Sequence, residues 1–427
     1  MKNNFKKYFG AEKNGVNLLA SLENLPLEKM ELFLQKISEI PSSAKIFFMG
    51  NGGSFDNARL ISQLFRQAGL KSKVPGNPDD YFMTTASKGY ESIFSEGLKA
   101  DNFGTNDICI GISGSGNSPN IIKALNYAKK HNSCIFCFGG RDGGKMSTVC
   151  GEPYSMIVNN QSMEAIEDLH TIIALEILRA STSKQKLKDV HFDFVEDFKA
   201  FMSESNFQVL GKIGTALLET IFNKSRTFIL GLGIGANHFR ADMGRGATNT
   251  IPVRGIATPE VFNINSSQAT ANDDGHDFIL ADGLVKFCPN ENDFALLCDI
   301  ENQPEVYNHC KEILDASKTP YFSIGKNGLD ISMFEKWSQD FAVSMIGHAC
   351  GHVIREKLQE LFSVREIEID IKFPEGQKKL GMKQTIELER LLKENKVISE
   401  NEMVTFCYGK IYAVKNNDKI IFERCYY

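Results

Sequence analysis

Two short apolar segments, each followed by a glycine-rich turn and a helical pattern, constrain the fold of this chain most strongly. Residues 45–49 (KIFFM) lead into GNGGS at 50–54, and residues 107–110 (DICI) lead into GISGSGNSPN at 111–120. The apolar runs predict buried strands, and the amphipathic patterns after the turns predict helices. Strands that alternate with helices indicate a parallel sheet covered on both faces.

The turn at residues 111–120 has the composition of an anion-binding loop. It combines three hydroxyls, three glycines and an amide just before a helix that begins at Pro119. Free backbone N–H groups and the positive end of a helix dipole favour a phosphate there. A polar strand-to-helix turn without a ligand is the alternative that this loop alone leaves open.

The turn at residues 50–54 strengthens the phosphate interpretation. Ligands of open parallel sheets bind outside the carboxyl ends of neighbouring strands, where two such turns converge. Neither turn carries the Gly-Lys-Ser/Thr ending of a Walker loop or the Gly-x-Gly-x-x-Gly pattern of dinucleotide-binding proteins. We therefore expect a phosphorylated ligand and no nucleotide cofactor.

As a pair, GNGGS at 50–54 and SGSGNSPN at 113–120 resemble the sugar isomerase (SIS) domain, and most closely its phosphoheptose isomerase branch. The resemblance implies that the two loops hold the phosphate and hydroxyls of a sugar phosphate. The binding residues that we predict on this basis are Asn51, Gly52, Gly53, Ser54, Ser113, Ser115, Asn117, Ser118, Glu167 and Asp273.

Composition limits the class of protein. A net charge of −5 argues against a nucleic-acid surface, and no apolar run is long enough to cross a membrane. The start, MKNNFKKYFG, lacks the apolar core of a secretory signal. Ten cysteines scattered through apolar surroundings indicate reduced thiols. We therefore expect a cytoplasmic protein with neither nucleic-acid nor membrane partners.

The strand and helix plan occurs twice along the 427 residues. Gly231, after the apolar run 227–230, follows Gly50 by 181 residues, which indicates an internal duplication. The expected fold is α/β, with two SIS-type three-layer αβα domains, each with a parallel sheet, and a small C-terminal α+β module. The predicted domains are 1–183, 190–362 and 366–427, with a polar linker at 181–186.

More detailed expectations follow from the apolar periodicity. In the first half we predict strands 45–49, 107–112, 133–138 and 155–158, and helices 14–40, 54–68, 119–131 and 163–180. In the second half we predict a helix over 192–223, strands 227–230, 294–298 and 320–324, and helices from 236, over 304–317 and over 335–361. In the module we predict a strand at 366–372, a helix at 384–396 and a hairpin of 410–414 with 419–422. The charges of the module are mixed, so we expect docking or oligomerisation rather than nucleic-acid binding.

Each half lacks features that the other has. Strand 294–298 runs into Asp299 and Glu301, whose carboxylates would repel a phosphate. Phosphoheptose isomerases share a His-x-x-x-Glu pair and a Gln and a His eight residues apart. In the first half, these family positions fall on Leu60, Leu64, Glu167 and Leu175, and a leucine neither binds a metal nor transfers a proton.

In the second half, the corresponding candidates are His238, Asp242, Asp340 and His348, which we predict as a metal set for Zn²⁺. His238 and Asp242 are four residues apart and therefore share a helical face. A buried core histidine and a helix-surface ion pair are the alternatives. The family motif Ala-Asn-Asp-x-Gly is also present only in the second half, at 271–275.

The complementary losses predict one hybrid active site. The first half would bind the phosphate, and His238, Asp242 and His348 would act as catalytic residues. The reaction that the resemblance implies is aldose–ketose interconversion of a phosphorylated sugar by proton transfer next to a carbonyl. A non-catalytic sugar-phosphate sensor is the alternative, and a purely structural partner is a third class. We expect a homodimer of tandem chains.

Overall fold

Two parallel five-stranded sheets and one small antiparallel sheet form the framework of the protein. The computed structural model describes residues 1–77, 80–244, 259–260, 264–299, 304–325, 331–332, 338–368, 382–407 and 410–415. The architecture is α/β, with helices on the faces of the parallel sheets, as the alternating pattern predicts.

The first sheet has the strand order β2-β1-β3-β4-β5, and all four pairings are parallel. Its strands are β1 (Ile46–Met49), β2 (Ser72–Lys73), β3 (Ile108–Ser113), β4 (Cys134–Gly140) and β5 (Ser155–Val158). The central strand β3 is buried along its whole length, which explains its continuous apolar sequence. The four predicted strands are confirmed to within two residues at each end. The short edge strand β2 was not predicted.

Nine helices accompany this sheet in the described chain. They are α1 (Lys2–Phe9), α2 (Leu18–Leu22), α3 (Leu27–Glu39), α4 (Gly53–Gln67), α5 (Asp80–Lys88), α6 (Ile93–Ala100), α7 (Pro119–Lys130), α8 (Gly144–Cys150) and α9 (Met163–Ser183). Helix α7 begins at the predicted Pro119, and α4 begins at Gly53, one residue before its predicted start. The predicted helix over 14–40 is interrupted before Pro26 and forms α2 and α3, because proline lacks the backbone N–H of a helix interior.

The second sheet has the strand order β7-β6-β8-β9-β10, which repeats the order of the first, and it is also parallel throughout. Its strands are β6 (Thr227–Leu230), β7 (Pro259–Glu260), β8 (Phe294–Asp299), β9 (Tyr321–Gly325) and β10 (Ile331–Ser332). Its helices are α10 (Leu187–Phe201), α11 (Glu204–Asn223), α12 (Ile234–Gly244), α13 (Ile264–Asp273), α14 (Ala281–Lys286), α15 (Pro304–Ala316) and α16 (Gln339–Leu361). The shared strand order supports the predicted duplication.

The single helix that we predicted over 192–223 is wrong. The chain forms α10 and α11, and Ser203 between them caps α11 by accepting a hydrogen bond from the N–H of Asn206 at 3.3 Å. The predicted linker is also shorter, because α9 continues to Ser183 and α10 begins at Leu187. The predicted residues 335–337 of the last helix lie outside the described residues.

The C-terminal module is α+β, as predicted. It contains β11 (Arg365–Ile367), α17 (Met382–Glu394), β12 (Glu402–Cys407) and β13 (Lys410–Lys415), and its antiparallel sheet has the order β11-β13-β12. In the described chain β13 pairs with β11 and β12, and the predicted partner of 410–414 lies outside the described residues. Residues 419–422, and residues 369–372 of the predicted strand 366–372, lie outside the described residues.

One apolar core continues from the first half into the second. It contains Ile110 and Phe138 of the first sheet as well as Ile229 and Phe294 of the second. Helices α4 and α9 pack against α12 and α16 where the two halves meet. The shared core continues across residue 183, whereas the C-terminal module has a small core of its own. The division into domains at residues 183 and 362 stays a prediction.

Helix α1 belongs to this shared core, although it is the first element of the chain. Phe5, Tyr8 and Phe9 are almost completely buried. The Phe9 ring lies 6.1 Å from Phe198 and 5.4 Å from Phe201, both on α10. The helix also packs on α11 and α16. Residues from the beginning of the chain therefore complete the packing of the second half.

Two composition-based expectations can be compared with the structure. No helix in the described part of the chain is long and apolar enough to span a bilayer. The eight cysteines whose side chains are described are all free thiols, and seven of them are at least half-buried.

Cutting the chain between Lys184 and Lys186 should leave two fragments that stay associated. Helix α10, which follows the cut, packs on α2, α3 and α9 of the first fragment, so separation would expose a large part of the apolar core. A protease site inserted there and size-exclusion chromatography of the cleaved protein test this. The complex should survive about 1 M salt, because apolar burial is not screened. Two separate, stable monomers would contradict it.

Candidate active site

The two glycine-rich turns meet in a cleft at the carboxyl edge of the first sheet. Strands β1 and β3 are parallel neighbours, so the turns that follow them lie side by side. The amide groups of Asn51 and Asn120 join the turns through two hydrogen bonds of 2.9 and 2.8 Å. The predicted binding residues that line this cleft are Asn51, Gly52, Gly53, Ser54, Ser113, Ser115, Asn117, Ser118 and Glu167.

The three serines of the second turn cluster at the start of α7. The hydroxyls of Ser113 and Ser118 are 3.2 Å apart, and the N–H of Asn117 donates to the Ser115 hydroxyl at 3.4 Å. Ser118 is the N-cap residue of α7, but its side chain makes no capping hydrogen bond. Its hydroxyl is therefore not consumed by the helix end, and the local geometry suits a small anion.

Asp273 was predicted with this set, but the structure places it elsewhere. It is exposed at the C-terminal end of α13, and its carboxylate accepts from the neighbouring Asn272 side chain at 2.8 Å. It does not line the cleft.

The predicted histidines come together with a carboxylate at the wall of the cleft where the two halves meet. His238 of α12 and His348 of α16 have their Nε2 atoms 3.0 Å apart. Oε2 of Glu167, from α9, lies 3.5 Å from Nε2 of His348 and 3.8 Å from Nε2 of His238. We call these three residues the histidine cluster.

A close backbone approach connects the first turn to the histidine cluster. A Cβ atom added at Gly53 would lie 2.2 Å from Oε2 of Glu167 and 2.7 Å from Nε2 of His238. Only glycine fits there without moving the cluster. The hydroxyl of Ser54 donates to Oε1 of Glu167 at 3.3 Å. The turn at 50–54 of the first half therefore contacts His238 of the second half.

Contacts at the Nδ1 atoms orient both imidazole rings. Nδ1 of His348 donates to Oδ1 of Asp168 at 2.6 Å, and the Tyr8 hydroxyl donates to the other Asp168 oxygen at 3.0 Å. Nδ1 of His238 lies 2.7 Å from the Ser344 hydroxyl. These contacts direct both Nε2 atoms towards Glu167.

The two histidines have opposite proton affinities. Burial disfavours the charged form of His348, but the Asp242 and Asp168 carboxylates outweigh this and hold its pKa well above the usual value. Burial, and then the charge on His348, lowers the pKa of His238 well below its usual value. These opposite directions favour His348 as the donor and His238 as the acceptor in the contact between their Nε2 atoms.

Asp242 lies beside the histidine cluster with one oxygen unsatisfied. Its Oδ2 is buried, 3.4 Å from Nε2 of His348, and has no hydrogen-bond partner among the described residues. Burial raises the pKa of Asp242 well above the ordinary range, although His348 opposes this. A buried carboxyl group of this kind suits proton transfer or the binding of a cation.

The histidine cluster fits a metal ion. Two ligands of a tetrahedral ion with bonds of about 2.0–2.1 Å lie about 3.3–3.4 Å apart, and the three observed separations of 3.0, 3.5 and 3.8 Å bracket this value. Asp168 and Ser344 hold the other ring nitrogens, as outer partners of metal-bound histidines do. Glu167, His238 and His348 could therefore hold a metal.

Asp340 was predicted as a metal ligand but is not in the cluster. Its carboxylate accepts hydrogen bonds from the backbone N–H groups of Ile234 and Gly235, at the start of α12. It therefore stabilises the first turn of the helix that carries His238. Glu167, at the corresponding position of the first half, lies in the histidine cluster instead.

Three residues with supporting roles were missed by the sequence analysis: Tyr8, Asp168 and Ser344. Asp168 directly follows Glu167 in the sequence, and a second acidic residue in that helix is a weak signal that could have been noted. Tyr8 and Ser344 carry no such signal, since their roles depend on the packing of α1 and α16.

Comparisons with known proteins agree with this description. A segment of 154 residues, 34% of this chain, is 31% identical to the phosphoheptose isomerase of Fusobacterium nucleatum and covers 77% of it. A segment of 180 residues, 40% of this chain, is 32% identical to that of Helicobacter pylori and covers 91% of it. No family model matches the chain.

A longer match comes from a solved structure. The C-terminal domain of glucosamine-fructose-6-phosphate aminotransferase from Francisella tularensis matches 83% of this chain and 94% of its own length, with a TM-score of 0.51 and 10% identity. The fold and the paired loops are those of a SIS-domain protein. Within that class, the chain belongs to the phosphoheptose isomerase family.

Proposed function

We propose that the chain is a sugar-phosphate isomerase that interconverts aldose and ketose forms at one active site built by both halves. The observation that carries this proposal is the contact at Gly53, where the turn after β1 meets Glu167 and His238. The named activity of the relatives makes a seven-carbon ketose phosphate, such as sedoheptulose 7-phosphate, the first substrate to test.

The first half would bind the phosphate. Ser113, Ser115 and Ser118 offer hydroxyl donors at the start of α7, and the turn at 50–54 adds backbone N–H groups. The second sheet ends its central strand β8 at Asp299, where the first sheet has Ser113. A carboxylate at that position disfavours a phosphate, so we assign phosphate binding to the first half alone.

The histidine cluster would receive the carbonyl end of the sugar. Interconversion requires removal of a proton next to the carbonyl and its return one carbon along the chain. Asp242, with its unsatisfied oxygen, is a group that can carry this proton, and His348, whose ring Asp168 orients, could do so only when its Nε2 binds no metal. Donors that face the carbonyl oxygen would stabilise the enediolate charge.

We propose Zn²⁺ as the ion of the histidine cluster, with Glu167, His238 and His348 as its ligands. Two imidazoles and a carboxylate are a usual donor set for catalytic zinc. When bound, zinc would supply Lewis-acid polarisation of the carbonyl. His348 would then be held neutral by the charge of the ion, and proton transfer would fall to Asp242.

Incubation of the purified protein with a panel of ketose and aldose phosphates, followed by NMR, tests the proposal. We expect interconversion of sedoheptulose 7-phosphate, its loss after chelation and its recovery on addition of Zn²⁺. Ser115→Ala is the matched variant, because loss of one charge-assisted donor should weaken substrate binding roughly tenfold or more. Binding without turnover for every sugar would instead favour a sensor.

A further inference from the structure

Arg141 lies in the turn after β4, lines the cleft and has a left-handed backbone conformation. Its φ is +56°, in the left-handed region that non-glycine residues avoid. The other positive-φ residues of this turn, Gly143 and Gly144, are glycines. Strained residues of this kind concentrate at binding sites. A glycine at residue 141 would relieve the strain, so the backbone conformation does not explain why this residue is an arginine.

The turn that carries Arg141 packs directly on the serine turn. The N–H of Lys145 donates to the Asn117 side chain at 3.1 Å, and the N–H of Met146 donates to the carbonyl of Gly116 at 2.8 Å. The segment that directly follows Arg141 is therefore held against the proposed phosphate-binding residues.

The guanidinium of Arg141 keeps most of its hydrogen-bonding capacity. The side chain is exposed, and the polar contact that it makes within the described chain is a long one, 3.5 Å, to the carbonyl of Gln161. A guanidinium has five N–H donors in a planar fork that matches phosphate oxygens. The serines supply neutral donors, so a cation is what a phosphate dianion still lacks there.

Two other arginines, Arg240 and Arg355, line the cleft and have different neighbours. Arg355 is hydrogen-bonded to Glu164 and to His352. Arg240 lies on α12 of the second half, two residues from both His238 and Asp242. Among the cleft residues that the structure describes, Arg141 is the arginine whose turn packs on the serine turn.

We propose that Arg141 binds the phosphate group of the substrate together with the serine turn. This inference rests on the proposed function and adds a charged residue to its phosphate site. It identifies the ligand group as a phosphate monoester dianion, recognised by charge as well as by neutral hydrogen-bond donors.

The test compares Arg141→Asn and Arg141→Gly with the wild-type chain. Both replacements suit a left-handed backbone, so the thermal midpoint should stay the same or rise. The KM for sedoheptulose 7-phosphate should rise about tenfold or more, with kcat little changed. Inhibition by inorganic phosphate should weaken by a similar factor. Lys224→Asn is the matched control, because Lys224 is an exposed cation with φ of +53° outside the cleft lining.

The outcomes separate the two proposals. If wild-type protein binds the sugar phosphate and Arg141→Asn has the same KM and the same inhibition by inorganic phosphate, the role of Arg141 is refuted and the proposed function stands. If wild-type protein binds neither the sugar phosphate nor inorganic phosphate, both fall. A rise in KM for Arg141→Asn but not for Lys224→Asn supports the inference.

Discussion

Replacing His348 with glutamine should lower kcat by about 10²-fold or more, because it removes a proposed ligand of the ion that would polarise the carbonyl, an effect of several kcal/mol. Nε2 of His348 lies 3.0 Å from Nε2 of His238 and 3.4 Å from Oδ2 of Asp242, two residues that line the cleft. Glutamine keeps a polar side chain of similar reach but is not among the side chains that usually bind zinc. KM should change much less, because the phosphate contacts are made by other residues.

The measurement is the rate of sugar-phosphate interconversion by NMR, with thermal unfolding as a check on folding. Asp242→Asn is the companion variant, since it preserves the shape of a second proton-transfer candidate. His309→Gln is the control, because His309 stacks on Phe278 and does not line the cleft. Normal turnover in both His348→Gln and Asp242→Asn would show that neither residue is needed for the reaction.

Mixing two impaired variants distinguishes a site within one chain from a site shared between two chains. Ser115→Ala weakens the phosphate-binding part, and His348→Gln damages the histidine cluster. If each active site lies within one chain, the mixture at low substrate concentration should be no more active than the mean of its components. Recovery of part of the activity would show that two chains of a dimer contribute to one site.

Replacing Gly53 with alanine should reduce kcat by roughly 10²-fold, because displacement of catalytic groups by about 1 Å has effects of this size. The added Cβ would lie 2.2 Å from Oε2 of Glu167 and 2.7 Å from Nε2 of His238. The Glu167 carboxylate must therefore move out of the histidine cluster. Zn²⁺ affinity should fall with the activity, since one ligand is displaced.

The control for Gly53→Ala is Gly104→Ala. A Cβ at Gly104 meets no heavy atom within 4 Å, so this variant adds the same methyl group without a collision. Zinc titration and the isomerase rate should both distinguish the two variants. Equal activity and equal zinc affinity in Gly53→Ala and wild type would show that the contact between the two halves is not part of the site.

Much of the fold could be predicted because it depends on local signals. Parallel strands that are buried on both faces have continuous apolar sequences, and glycine or proline marks the turns after them. Strand β2 has two residues and no such signal. The break between α10 and α11 depends on a capping hydrogen bond at Ser203, which apolar periodicity does not reveal.

The site was predictable only in part, for a physical reason. The phosphate loops are contiguous in sequence, whereas the histidine cluster combines residues that are 71 to 181 positions apart. The family spacing therefore led to Asp340 instead of Glu167. Glu167 and Asp340 are at corresponding positions of the two halves, and the packing of the halves decides which of them faces the cleft. A motif taken from a family with one domain contains no information about that packing.

The burial of α1 in the second half has a consequence for synthesis of the chain. Phe198, which packs on Phe9, follows it by 189 residues. At about 5–20 residues per second, the ribosome needs roughly 10–40 s to deliver that partner. During this interval, Phe5, Tyr8 and Phe9 present an aromatic face without its final cover. A nascent chain of this design is exposed to aggregation for that long, and chaperones that bind aromatic segments would meet it first at its N-terminus.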